Sequence, residues 1–215
     1  KLLSVAALVG SLMLGTMPYW WQAAHPARPH GQDMLPVLGF IVLLVFAEQM
    51  ARHRVDDAIR RMAATFLTVL YLGVGGACIL MLRLEYGLGV FLLFLLAVKL
   101  SDIGAYFTGV LAGRHKLILW LSPGKTWEGL VGGVAFAIGG AILWISVAPM
   151  ALRGHYVQLW HAAVFGLVMA LAGQFADLCE SLLKRSAGLK DSGQLVPGFG
   201  GLLDMLDSPL LAAPV

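Results

Sequence analysis

Seven apolar runs, each near the length that crosses a bilayer, constrain this chain more than any other feature. They lie at roughly 2–21, 35–51, 62–82, 87–112, 130–149 and 160–183, with a seventh opening near 202. A spanning helix needs about 20 predominantly apolar residues. Backbone polar groups in hydrocarbon must be paired within the segment or around a closed barrel. The runs are continuously apolar rather than alternating, which selects helices and excludes the barrel. Composition points the same way: 59% of residues are hydrophobic and 13% charged, and the mean hydropathy is +0.82. A soluble domain is nearer half apolar and about a quarter charged. The chain is therefore predicted to be all-α, a polytopic membrane helical bundle with about seven transmembrane helices, or more in the full-length chain. Residues 1–86 are expected to supply three N-terminal spans, and residues 87–215 a C-terminal catalytic membrane region truncated at its end.

The basic residues set an orientation. With the N-terminus cytoplasmic, the inner segments collect Lys1, Arg52, Arg54, Arg60, Arg61, Arg114, Lys116, Lys125, Lys184, Arg185 and Lys190. The outer loops hold only Arg28, Arg83 and Arg153, and Lys99 falls inside a span. Positively charged loops stay on the cytoplasmic side, so this asymmetry predicts the topology. The net charge of +3 follows from those loops and implies no nucleic-acid partner.

The chain starts at Lys1 and stops at Val215 within an apolar run, so both ends are expected to be clipped from a longer protein. The first run reads as a span closed by the interfacial anchor Tyr19-Trp20-Trp21 rather than as a cleaved signal peptide. Cys78 and Cys179 are predicted near opposite faces, too far apart for a disulfide, and are read as packing residues. His25 and His30 sit in a solvated connector with no other metal-ligand type at suitable spacing. Gly109-x-x-x-Gly113 and Gly129-x-x-x-Gly133 allow close helix approach.

Three segments carry candidate chemistry. Lys99 and Asp102 are three apart on the fourth span. They either neutralise one another or leave Asp102 facing a polar cavity, with Gly104 and Gly109 making room. The second segment, Ser122-Pro-Gly-Lys125-Thr126-Trp-Glu128-Gly129, reads either as a plain interfacial loop or as a phosphate contact. In the latter, Lys125 and Thr126 offer an ammonium and a hydroxyl. It is no Walker A loop, lacking the upstream glycine and following no predicted strand.

The third segment is the tail. Asp177, Glu180, Ser181 and Lys184 fall at helical spacings of three and four and share one face. Asp204 and Asp207 repeat that spacing at the start of the next run, with Ser208 alongside. Between them, Pro197-Gly198-Phe199-Gly200-Gly201 offers backbone N–H groups at a helix N-terminus, where an anion is welcome. Charges at membrane depth cost roughly 2.5–3.5 kcal/mol each even on lenient insertion scales, so a cluster of them marks a site. Carboxylates from two helices suit Mg²⁺, which keeps open positions for substrate phosphates.

These residues carry a resemblance. The tail resembles the signature of the phosphatidate cytidylyltransferases (CDP-diacylglycerol synthases), S-x-x-K-R-x-x-x-x-K-D, a short spacer, then P-G-H-G-G-x-x-D-R-x-D. It matches at Ser181, Lys184, Arg185, Lys190, Asp191, Pro197, Gly198, Gly200, Gly201, Asp204 and Asp207. The segments at Ser101-Asp102 and at Ser122 to Gly129 resemble two further blocks in the family's order. Phe199 stands where the family often has His and Met205 where it often has Arg, implying a subgroup in which metals and other bases suffice.

The resemblance implies transfer of CMP from CTP to phosphatidic acid, giving CDP-diacylglycerol and pyrophosphate in phospholipid biosynthesis. It assigns the metal, Mg²⁺ with room for a second cation, to Asp177, Asp204 and Asp207. Glu180 and Asp191 serve as weaker ligands or orienting groups. Lys125, Lys184, Arg185 and Lys190 hold phosphates, Lys184 among the catalytic set. Asp102, Thr126, Glu128, Ser181 and the glycines 198, 200 and 201 complete the substrate site. Expected partners are CTP, phosphatidic acid and membrane lipids. Nucleic acid is not among them, and a homodimer is compatible. The expected location is a bacterial-type inner membrane with the site facing the cytoplasm. Two rivals use the same residues differently: a CTP-dependent polyprenol or phytol kinase, and an ion-coupled transporter relaying ions through Asp102, Asp177 and Glu180.

Overall fold

The computed structural model describes residues 4–24, 34–148, 157–188 and 202–215, the side chains of 4, 34, 35 and 202–205 excepted. All seven apolar runs fold as helices. They are α1 (Ser4–Ala24), α2 (Met34–Ala51), a long rod made of α3 (Ala58–Thr68), a π-helical turn (Val69–Val74) and α4 (Gly75–Glu85), then α5 (Gly87–Ala112), α6 (Trp127–Val147), α7 (Leu159–Ser186) and α8 (Leu202–Ala212). Among the described residues, four helices are long and apolar enough to cross a membrane: Ala58–Glu85, α5, α6 and α7. The protein is a helical, polytopic membrane protein.

Two compact units divide the chain between Glu85 and Tyr86. In the first, Ala6 and Leu14 of α1, Ile41 and Val45 of α2 and Val69 of the π turn form a fully buried cluster. The rod starts at Ala58, four residues before the apolar run that predicts it. Arginines tolerate a helical backbone where their heads find partners. Here the Arg61 guanidinium donates to the Asp56 carbonyl oxygen and to Gln49 Oε1, tying the turn between α2 and α3 to the rod.

The second unit is built on glycine. A Cβ at Gly104 of α5 would come within 2.6 Å of Phe136, one at Gly133 of α6 within 2.8 Å of the Ser101 carbonyl oxygen, and one at Gly132 would overlap Thr108. Lipid tails are as apolar as Leu, so close backbone approach supplies much of the association between such helices. The contacts also give the direction. Gly109 meets Thr126 and Gly129, and Gly140 meets Leu100, so α5 and α6 are antiparallel. Gly166 of α7 packs on the α6 backbone at Ala137 and Ile138, while Ala162 joins Ala141 and Ile145. The end of α5, the start of α6 and the end of α7 therefore lie at one end of the unit.

The segment between α5 and α6 differs from the loop expected there. Strand β1 (Lys116–Ile118) pairs antiparallel with β2 (Ser122–Thr126), Lys116 opposite Thr126 and Ile118 opposite Ser122. Strands this short, with Pro and Gly inside, show no alternating pattern. The hairpin is closed from outside. The Trp127 N–H donates to the His115 carbonyl oxygen at 3.0 Å, and Glu128 accepts from the His115 N–H at 3.2 and 3.3 Å and from its Nδ1 at 2.6 Å.

Candidate active site

At that common end, α5, β2, α7 and α8 bring ionisable side chains onto two adjoining cavities. The smaller, about 330 Å³, is lined by Lys99 and Asp102 of α5, Lys125 of β2, Asp177, Glu180 and Ser181 of α7, and Asp207 and Ser208 of α8. The larger, about 510 Å³, shares Asp102, Lys125 and Asp177. It continues between Tyr106 and Val110 of α5 and Lys116, Ser122 and Gly124 of the hairpin. One cavity is thus lined by charged and hydroxyl-bearing residues, and the other has an apolar flank on α5.

Asp177 is the centre of the cluster. Its Oδ2 accepts from Lys125 Nζ at 2.8 Å, and its Oδ1 accepts from Ser208 Oγ at 2.6 Å. The same ammonium donates to Gln174 Oε1 at 3.1 Å and to the Gln174 carbonyl oxygen at 3.2 Å. Lys125 is therefore locked in a cage of three oxygens. Its backbone is held by β2, and the helix that follows is capped by Thr126, whose Oγ1 accepts from the Gly129 N–H at 3.0 Å.

On α5, Lys99 Nζ lies 3.2 Å from Asp102 Oδ2. Asp102 Oδ1 is buried with no hydrogen-bond partner among the described residues. The two readings of this pair both hold, since Asp102 is partly neutralised and also faces the cavities. On α7, Glu180 is buried and paired with Lys184 at 2.8 Å. Asp207 is buried on α8, its Oδ1 accepting from the Ser208 N–H at 2.7 Å.

Several expected site residues lie elsewhere. Glu128 lines neither cavity. It fastens the hairpin through His115, as an acid in the first turn of a helix readily does for a neighbouring donor. Lys184 reaches Glu180 from outside the smaller cavity, and Arg185 is exposed in the last turn of α7. Thr126 borders the larger cavity, but its hydroxyl oxygen serves the helix cap. Lys190, Asp191, Gly198, Gly200 and Gly201 lie outside the described residues, as do Phe199 and the side chains of Asp204 and Met205. Gln174 went unnoticed in the sequence, although it stands three residues before Asp177 and so on the same helix face. Ser208 was visible only as a neighbour of Asp207.

The profile of the cytidylyltransferase family matches residues 2–215. The chain belongs to that family. Among its relatives, the phosphatidate cytidylyltransferase of Staphylococcus saprophyticus is 35% identical over 215 residues, covering all of this chain and 79% of that protein. A phosphatidate cytidylyltransferase of Staphylococcus epidermidis is 33% identical over 218 residues, with the same coverage. One from Staphylococcus aureus is 36% identical over 181 residues, 84% of this chain and 66% of its own length. As a cytidylyltransferase, the chain is a nucleotidyltransferase, and the match spans both units, including the hairpin and the acidic cluster.

Proposed function

We infer that this membrane-embedded cytidylyltransferase acts on phosphatidic acid, transferring CMP from CTP to give CDP-diacylglycerol and pyrophosphate. An oxygen of the lipid phosphate monoester attacks the α-phosphorus of CTP, and the bond from that phosphorus to the bridging oxygen of the β-phosphate breaks. Pyrophosphate leaves with the bonding electrons. The nucleophile is already anionic near neutral pH, so a strong general base is unnecessary, and catalysis is chiefly positioning and charge neutralisation. The observation that carries the reading is the convergence of Asp102, Asp177 and Asp207 with Lys99 and Lys125 around one cavity in a chain of this family. The relatives' names favour this substrate over a kinase or transporter reading.

Mg²⁺ fits this donor set. Four carboxylates line the smaller cavity against two ammonium groups, with Lys184 adding a third cation from outside, so an excess of negative charge remains partly buried. No three described acids, histidines or cysteines are grouped tightly enough to hold a cation by themselves. Mg²⁺ commonly takes one or two carboxylates and completes its shell with water and substrate phosphates, so the reading calls on only two acids of the cavity. Asp177 and Asp207 would hold it with Glu180 in support, and the resemblance adds Asp204 as a further ligand. Once bound, it would offset charge on the phosphates. Lys99 and the hairpin's Lys116 orient and neutralise phosphate oxygens, Lys125 adds positive charge from its cage of Gln174 and Asp177 oxygens, and the apolar flank at Tyr106 and Val110 suits the lipid. The distribution of basic residues supports a site facing the cytoplasm across a bacterial inner membrane, the side where CTP is available. All the residues used come from one chain, and a homodimer is compatible.

The test uses the full-length protein in detergent with phosphatidic acid, Mg²⁺ and CTP labelled at the α-phosphate. Label should enter the lipid with release of one pyrophosphate, and Asp207→Asn should retain on the order of 1% of that activity or less. Release of CDP without labelled lipid would instead identify a kinase. Chelation with EDTA should abolish turnover, and excess Mg²⁺ should restore it.

A further inference from the structure

Ser208 is 1% exposed, stands on the wall of the smaller cavity, and touches acids from two different helices. Its Oγ donates to Asp177 Oδ1 at 2.6 Å. Its backbone N–H donates to Asp207 Oδ1 at 2.7 Å, and that oxygen lies 3.4 Å from the Ser208 hydroxyl. A hydroxyl has one proton, and the shorter contact claims it for Asp177. One residue thus holds Asp177 of α7 by its side chain and Asp207 of α8 by its main chain. Two carboxylates facing one cavity repel each other, and neither helix alone sets their separation.

We propose that Ser208 is a positioning residue that clamps Asp177 and Asp207 at a fixed separation for a divalent cation. The proposal rests on the metal assignment made above for those two acids. Partners of metal-bound carboxylates orient the ligand, and their loss typically costs 10–100-fold in metal affinity or activity. Ser208→Ala leaves the N–H grip on Asp207 and removes the hold on Asp177, so the defect should appear in cation binding.

The experiment measures Mn²⁺ binding to the purified full-length protein by electron paramagnetic resonance, beside the Mg²⁺ dependence of turnover. Ser208→Ala should bind Mn²⁺ at least ~10-fold more weakly and raise the KM for Mg²⁺, with kcat recovering at saturating Mg²⁺. Ser208→Cys keeps a small side chain with a weak donor and supplies a second arm should the alanine variant not fold. Its affinity should fall between parent and alanine, or below the parent where alanine is unmeasurable. Binding equal to the parent in the alanine variant, or in the cysteine variant where the alanine variant does not fold, overturns the clamp alone. So does a loss of kcat at every Mg²⁺ concentration with unchanged Mn²⁺ affinity. Absence of Mn²⁺ binding by the parent itself overturns the metal assignment, and the clamp with it.

Discussion

At the scale of single residues, the site is organised by who occupies each carboxylate oxygen. Asp177 has both committed, one to Lys125 and one to Ser208. The Lys125–Asp177 pair is largely removed from solvent, with 18% and 26% side-chain exposure. It therefore escapes most of the screening that makes surface pairs nearly worthless. Removing either partner strands the other, so a double-mutant cycle with Lys125→Met and Asp177→Asn should show strong non-additivity. The coupling in thermal stability should be about 0.5–3 kcal/mol, the range for contacting residues in one network. Additive effects would mean the pair is incidental. The pair links positions 52 apart in the chain, and nothing in local spacing announces it. The acids and Lys125 stand out in the sequence because charge is rare in these helices. Their pairing does not, because it depends on how α7 docks against the hairpin.

At the scale of elements, the antiparallel contact of α5 with α6 positions both the hairpin and Asp102. Glycines at 104, 132 and 133 let the two backbones meet. A side chain at Gly132 would overlap Thr108, whose hydroxyl already donates to the Gly104 carbonyl oxygen at 2.6 Å. Gly139, on the same helix, has open space around it. Gly132→Ala should cost about 1–3 kcal/mol by overpacking. Gly139→Ala should be neutral or stabilising by up to ~1 kcal/mol, through helix propensity alone. Unfolding of the full-length protein in detergent checks the contrast, and equal effects would mean these glycines are not a packing seam. The glycine pattern was legible as a packing motif. The hairpin was not, since its strands are held by Glu128 and His115 at its base rather than by their own propensities.

At the scale of the whole molecule, charge asymmetry and site location make one prediction. Arg114, Lys116, Lys125, Lys184 and Arg185 belong to the end of the second unit that carries the acidic cluster, and positive loops stay cytoplasmic. Arg114→Cys, in a full-length background with Cys78 and Cys179 replaced by Ser, should react with a membrane-impermeant maleimide only when the cytoplasmic face is accessible. Labelling from outside intact cells would reverse the topology and place the nucleotide site where no CTP is found.

By itself, the sequence determined the solvent this protein lives in, the helical class, the approximate helix limits and which acids and bases stand out among its apolar helices. Hydrophobic period, run length and the cost of buried charge are local or additive quantities, so they can be read along the chain. Only the tertiary structure decided that Glu128 serves the hairpin, that Lys125 is caged by Gln174 and Asp177, and that a serine beside Asp207 grips an acid on another helix. Those outcomes depend on distances between segments far apart in sequence, set by close backbone packing, and no one-dimensional pattern encodes them.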